Sequence, residues 1–247
     1  MSHNNTVVSL GSGAMFDGIA ARYDFLNTLL SFGFDKLWRR VLVRALELAH
    51  TRDTHVLDVA TGTADVALTV ARMHRRAYIT GVDPSANMRA IGCRKIEQRN
   101  VSKRIQLLEG SAEALPFLGD AFDAACISFG IRNVPDRLQA LREMRRVVRS
   151  GGRVAVLELG EPRDMGLLGH LARVYVHKIV PKIGAWISGG GFSGSGSGGQ
   201  AYAYLQQSIA LFPPPQEFVA LMHEAGLRDV SYRTLMFGVA HVYVGRV

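Results

Sequence analysis

The chain has 247 residues, 48% hydrophobic and 20% charged, with a formal charge of +8 and a pI near 9.9; this suits one large folded domain and excludes a disordered or fibrous chain. Cys93 and Cys126 stand far apart in no C-x-x-C pair, which excludes a disulfide framework and a zinc site and points to a reduced, cytoplasmic setting. No basic-then-apolar leader opens the sequence and no long uncharged apolar run occurs in it, so neither an export signal nor a membrane span is expected.

In chain order, apolar residues recur at helical spacing from Ala14 to about Ala49, with a break at Ser31–Phe34 and Asp35 as the expected N-cap of the second of two helices. Short β-branched runs then predict strands at Thr54–Val59, Ala77–Val82, Ile105–Glu109, Phe122–Ser128 and Arg153–Glu158. Helices are expected between them over Ala64–Met73, Ser85–Gln98 and Pro135–Arg149, with Ser85 as an N-cap and Gly151–Gly152 ending the last. A helical stretch follows from Gly166 to Ile187, then a Gly/Ser-rich run at Gly189–Gly199, then helical segments at Tyr202–Leu211 and Pro215–Ala225. Runs near Arg228–Leu235 and Ala240–Val244 predict a closing hairpin. Strand alternating with helix is the pattern of an α/β doubly wound, mostly parallel sheet covered by helices on both faces. The whole is read as a single domain: an N-terminal helical cap over 1–49, a core over 50–160, a helical lid over 161–227 containing the Gly/Ser loop 189–199, and the hairpin over 228–247. The basic excess is spread over positions such as Arg39, Arg40, Arg75, Arg76, Arg145 and Arg146, as on solvated helix faces, and no nucleic-acid partner is expected.

The chemistry gathers at the end of the first strand, where THVLDVA runs into TGTAD and a helix. Ligands of open α/β sheets bind at this edge. Gly62 and Ala64 keep the turn small enough for a ligand to lie against the backbone, and the helix start presents free N–H groups. Asp83, in GVDPS at the end of the second strand, is placed to accept hydrogen bonds from both hydroxyls of a ribose. A dinucleotide site wants G-x-G-x-x-G at this turn to admit a pyrophosphate. Here the turn carries acids, Asp58 and Asp65, which favour a cationic adenosine cofactor; S-adenosyl-L-methionine, with its sulfonium and amino group, is such a molecule.

These segments, together with others, carry a resemblance. MFDGIAARYDFLNTLLSFGFDKLWR, VLDVATGTAD, GVDPSANM, EGSAEALPF, SFGIRNVPD, GGRVAVLELGEP and AYAYLQQSIALFP make the chain similar, from Met15 to its end, to the ubiquinone/menaquinone-biosynthesis C-methyltransferases. The resemblance implies a Rossmann-like class I methyltransferase sheet with an antiparallel C-terminal hairpin and N-terminal helices. It implies S-adenosyl-L-methionine as cofactor and C-methylation of a polyprenyl quinol ring, with no metal. By the same resemblance, cofactor contacts fall on Thr63, Asp83, Ser111, Ala112 and Ser128, Tyr23 helps close the pocket, and Arg132 and Asn133 stand at the substrate end. Ala64 departs from a usual glycine, and Ser111 from a usual Asn or Asp.

The implied chemistry needs a phenolate to raise the ring carbon's nucleophilicity, a fixed approach to the methyl group, and a base for the ring proton. Arg132 is assigned to the phenolate oxygen and Asn133 to the ring hydroxyl or a bridging water, with an Arg132–Asp136 ion pair as the structural alternative. Asp65 through water, His170, His177 and His241 are the candidate bases. The stretch LLGHLARVYVHKIVPKIGAWI, with Arg173, Lys178 and Lys182, suits either a peripheral contact with an anionic membrane or a lid packed on the core. FPPPQEF resembles the menaquinone branch. Methylation of another small acceptor, or cofactor binding without catalysis, are the competing readings.

Overall fold

The structure is a computed structural model and describes residues 28, 31, 33–161 and 206–247. The expected first helix, Tyr23, the 166–187 helix with His170 and His177, and the Gly/Ser run lie outside the described residues.

Seven strands form one sheet in the order β3-β2-β1-β4-β5-β7-β6. They are β1 Thr54–Val59, β2 Ala77–Val82, β3 Ile105–Leu108, β4 Phe122–Ser128, β5 Val148–Leu159, β6 Arg228–Leu235 and β7 Ala240–Arg246. The first five pair in parallel, while β7 runs antiparallel to both β5 and β6. The order reverses between β1 and β4, so their carboxyl ends splay a crevice at that edge.

The helices are α1 Asp35–Ala45, α2 Asp65–Met73, α3 Ala86–Gln98, α4 Arg137–Val147 and α5 Pro215–Glu224. Trp38, Leu42 and Val43 of α1 and Val66, Ala67 and Val70 of α2 pack on one face of the sheet against Val56, Cys126 and Leu157. Leu141 and Met144 of α4 and Phe218 and Met222 of α5 cover the other face against Leu57, Ile127, Val156 and Tyr243. A strand covered on both sides can carry almost no polar residues, which is why β1 and β2 are buried at every position but one.

Helix starts follow side-chain chemistry. The Ser85 hydroxyl accepts the Met88 N–H at 3.1 Å and begins α3, and an Asp136 oxygen accepts the Gln139 N–H at 2.9 Å and begins α4. Two boundaries differ from expectation. Asp35 is not the N-cap of α1: it is the first helical residue, and its carboxylate takes the Ser31 hydroxyl at 3.2 Å and the Arg39 guanidinium one turn on. Gly151–Gly152 do not end a helix either. The α4 helix stops at Val147, and β5 begins at Val148 opposite Phe122. Ala124 then pairs with Arg153, so Arg149–Gly152 bulge from the strand. Gly151 has φ +81°, and a Cβ on Gly152 would lie 2.5 Å from the Asp123 carbonyl. The glycines serve the bulge.

Gly81 of β2 lies beside Asp58 of β1, and a Cβ there would meet Leu107 Cδ2 at 2.6 Å and the Thr61 side chain at 2.8 Å. Replacing it with Val should destabilise the protein by about 1–3 kcal/mol. Urea unfolding checks this as a lower midpoint with an unchanged slope.

Candidate active site

Beyond Val59 the chain makes a turn in which Ala60, Gly62 and Ala64 all have left-handed φ, +50°, +54° and +67°. Only glycine takes this conformation freely; each alanine bears about 1–2 kcal/mol of strain. Two buried carboxylates hold the turn in place. Asp58 accepts the Thr61 hydroxyl at 2.6 Å and the Ala67 N–H at 3.2 Å. Asp83 accepts the Gly62 N–H at 2.8 Å and the Ser85 N–H at 2.9 Å. The Thr61 N–H donates to the Val82 carbonyl at 3.0 Å.

The turn borders a cleft lined by Asp58, Gly62, Thr63, Asp65, Ser128 and Phe129, with Arg39 reaching in from α1. Five of the expected site residues, Asp58, Gly62, Thr63, Asp65 and Ser128, are therefore brought together. Asp83 stands behind them at the end of β2, tying the turn to the start of α3. Ser111 and Ala112 lie elsewhere, past β3, where Ser111 bridges to Ala114 and its hydroxyl accepts the Glu113 N–H at 3.2 Å.

Charge in the cleft is balanced within the protein. Lys95 of α3 donates to Asp65 at 2.8 Å and to the Thr63 hydroxyl at 2.9 Å. Arg39 is 5% exposed; it pairs with Asp35, lies 3.5 Å from Asp65, and its guanidinium sits 5.7 Å from the Phe129 ring centre. The two oxygens of Asp65 thus face two cations. Asp58 is the acid whose state a ligand can change. Burial pushes its carboxyl up to about 7, against the opposing pull of the Thr61 hydroxyl, the Ala67 N–H, the Cys126 thiol and Arg39.

The residues fit a cationic adenosine cofactor. The Oγ of Ser128 is buried with no protein partner, and open space lies where a Gly62 Cβ would point. An orphaned hydroxyl and a buried acid beside open space suit the amino group and sulfonium of that cofactor.

Arg132 corrects the sequence reading. It stands with Asn133 on the 3-10 turn Ile131–Asn133 after β4, but its guanidinium points inward and bonds Glu158 Oε1 at 2.6 Å and the Phe129 carbonyl at 2.7 Å. The Arg132 N–H also donates to Glu158 Oε2 at 3.2 Å. The ion-pair partner is Glu158, not Asp136, which caps α4 instead. Asn133 is half-buried, with its N–H on the Gly130 carbonyl at 3.0 Å.

Sequence reasoning missed Arg39, Lys95, Phe129 and Glu158. The Asp35–Arg39 spacing of four on a helix was a legible signal for the first, and a lone acid in the apolar run VAVLEL for the last. Nothing in the spacing of Lys95 or Phe129 placed them at the cleft.

This sheet order with this acid-bearing turn defines a class I S-adenosylmethionine-dependent methyltransferase. Solved structures share the fold: a possible histamine N-methyltransferase of Thermotoga maritima has a TM-score of 0.64 at 20% identity, covering 95% of this chain and 99% of that one. The chain belongs to the ubiE/COQ5 methyltransferase family, whose model matches residues 5–246. It is 44% identical over 232 residues to the ubiquinone/menaquinone biosynthesis C-methyltransferase UbiE of Geotalea daltonii, covering 94% of each. It is 44% identical to the demethylmenaquinone methyltransferase of Thermus thermophilus, covering 94% of this chain and 99% of that one.

Two outcomes follow. Because the Asp58 carboxyl binds its proton more tightly folded than unfolded, its contribution to stability is fully present below pH 3.8 and is lost as pH rises through about 7. Asp58→Asn should therefore gain stability relative to the parent between pH 5 and pH 8, read from urea midpoints at both. Glu158→Gln removes the carboxylate charge facing the buried Arg132 guanidinium and should cost about 3–5 kcal/mol, read as a drop in Tm.

Proposed function

We propose that this methyltransferase methylates a ring carbon of a polyprenyl quinol, converting demethylmenaquinol to menaquinol or acting on the corresponding ubiquinone precursor. One observation carries the reading: similarity to a demethylmenaquinone methyltransferase that runs through 94% of this chain and 99% of the other, including the turn, Asp83 and the SFGIRN segment.

The bound cofactor supplies an electrophilic methyl group. The chain's own residues hold it. Asp83 takes the ribose hydroxyls, Thr63 and Ser128 bind beside the turn, and Ser111 and Ala112 flank the adenine. Tyr23, outside the described residues, is assigned to the pocket's closure by the family resemblance alone. Asp58 offsets the cofactor's positive charge. On the acceptor side Asn133 orients a ring hydroxyl. Arg132 acts through the backbone: locked to Glu158 and the Phe129 carbonyl, it fixes the turn that carries Asn133, in place of the direct phenolate contact its sequence position suggested. Deprotonation of that hydroxyl to solvent would raise the nucleophilicity of the ring carbon, and the bound cofactor would supply the methyl group that this carbon takes in exchange for its own proton, which passes to water.

Polyprenyl quinols reside in the bilayer, so contact with an anionic membrane surface is part of the reading. Among the described residues no helix is long and apolar enough to cross a membrane; Arg173, Lys178 and Lys182 are the residues proposed to meet an anionic surface. Reversing charge at Lys178 and Lys182 should lower turnover of tailed substrate in liposomes and spare tailless substrate.

Purified chain given methyl-labelled S-adenosylmethionine should place label on the ring of reduced demethylmenaquinol. No label on either that quinol or the demethylated benzoquinol would overturn the reading. Asp83→Ala should weaken cofactor binding by about 1.5–3 kcal/mol, the worth of charge-assisted hydrogen bonds, as measured by calorimetry.

A further inference from the structure

Helix α1 has two unlike sides. Trp38, Leu42 and Val43 are buried against the sheet, which fixes the helix and turns its opposite side outward. On that side Lys36, Arg40 and Arg44 recur at every fourth residue and are all exposed, so they form one stripe along the helix. Leu37, Val41 and Ala45 form a second stripe beside it, Leu37 being 46% exposed and the other two half-buried. Phe34, just before the helix, is 44% exposed.

Like charges one turn apart repel and weaken a helix unless an opposite charge lies near them. The single acid of α1, Asp35, faces inward and pairs with Arg39. Among the described residues, Lys36, Arg40 and Arg44 have no ion-pair partner, and neither does Arg233 of β6. Arg233 is exposed and lines one groove with Arg44, Val41, Val242 and Val244. The groove therefore repeats the pattern of the helix, with valines between two arginines.

Cations in a row beside apolar groups on one side of a fixed helix match the surface of an anionic bilayer. Headgroup phosphates take the cations at the tips of long side chains, and the boundary of the acyl region takes the apolar ones. An acidic protein surface would answer the charge but set Phe34 and Leu37 against polar groups. Place supports the match as well. Arg39, on the inner side of α1, lines the cofactor cleft, so a bilayer on the outer side would lie about one helix diameter, roughly 10–12 Å, from it.

We infer that the outward face of α1, extended by Arg233, docks on an anionic lipid bilayer, with its cations on headgroup phosphates and Phe34 and Leu37 at the acyl boundary. The inference rests on the quinol reading for the reason a bilayer is met. It puts a contact on the helix that also lines the cleft, in addition to Lys178 and Lys182, so that a tail can stay in lipid while its ring reaches the crevice.

Co-sedimentation of the full chain with phosphatidylglycerol vesicles and with phosphatidylcholine vesicles tests it. The parent should bind the anionic vesicles, leave them in high salt and bind the neutral ones weakly. Combining Lys36→Gln, Arg40→Gln and Arg44→Gln should weaken anionic binding about a hundredfold, at about fivefold per cation. Leu37→Ser alone should weaken it about tenfold. Both variants should keep cofactor affinity, read by calorimetry, within about twofold of the parent. Anionic binding unchanged in both variants overturns the inference, including the case in which it is lost only with Lys178→Gln and Lys182→Gln. A parent that ignores both kinds of vesicle overturns it too and leaves an acidic protein as the partner of this face. Should the parent dock through α1 yet methylate no quinol, the functional reading falls and the docking surface stands.

Discussion

A carboxylate buried under a strained turn is the constraint on which the rest of this structure depends. Asp58 lies at the end of β1 with 1% exposure, where water cannot solvate its charge, and the turn above it places two alanines in left-handed backbone. Neither is favourable alone. Together they are stable because the Thr61 hydroxyl and Ala67 N–H turn inward to the acid, and Asp83 fastens the turn from the neighbouring strand. The turn has no freedom to relax, so the backbone bordering the cleft keeps one arrangement. The same burial leaves Asp58 the group most responsive to a nearby positive charge.

A second buried charge pair does comparable work at the other side of the crevice. Arg132 and Glu158 are 6% and 0% exposed, and their bonds join the turn after β4 to the end of β5. An ion pair removed from water contributes little net stability, since desolvation offsets most of the attraction. Its value is geometric: the three bonds to Glu158 and the Phe129 carbonyl leave the Ile131–Asn133 turn one position relative to Ser128.

Much of the fold was legible in the residues. The β1, β2 and β4 limits match their apolar runs, because strands buried on both faces admit few other residues, and Ser85 marks its helix start because its hydroxyl satisfies a backbone N–H. The failures have a common origin. At Val148–Gly152 the helical spacing of Leu141, Met144 and Val148 runs on past the true helix end, and only pairing with β4 makes that stretch a bulged strand. Asp35 has the residue type of an N-cap, but a buried arginine one turn away binds it more strongly than the helix end does. At the site, Gly62, Thr63, Asp65 and Ser128 come together at one cleft because the ends of β1 and β4 are neighbours in the sheet.

The sequence by itself determined the class of sheet, the turn at the crevice, the acids that flank it and the family, since each depends on residues close together along the chain or on motifs kept as units. Tertiary structure alone decided where the cations went. Arg39 enters the cleft from α1, Lys95 from α3, and Arg132 turns inward to an acid 26 positions further along the chain. Long flexible side chains reach whichever opposite charge the fold leaves least solvated, and that is settled by packing between distant elements.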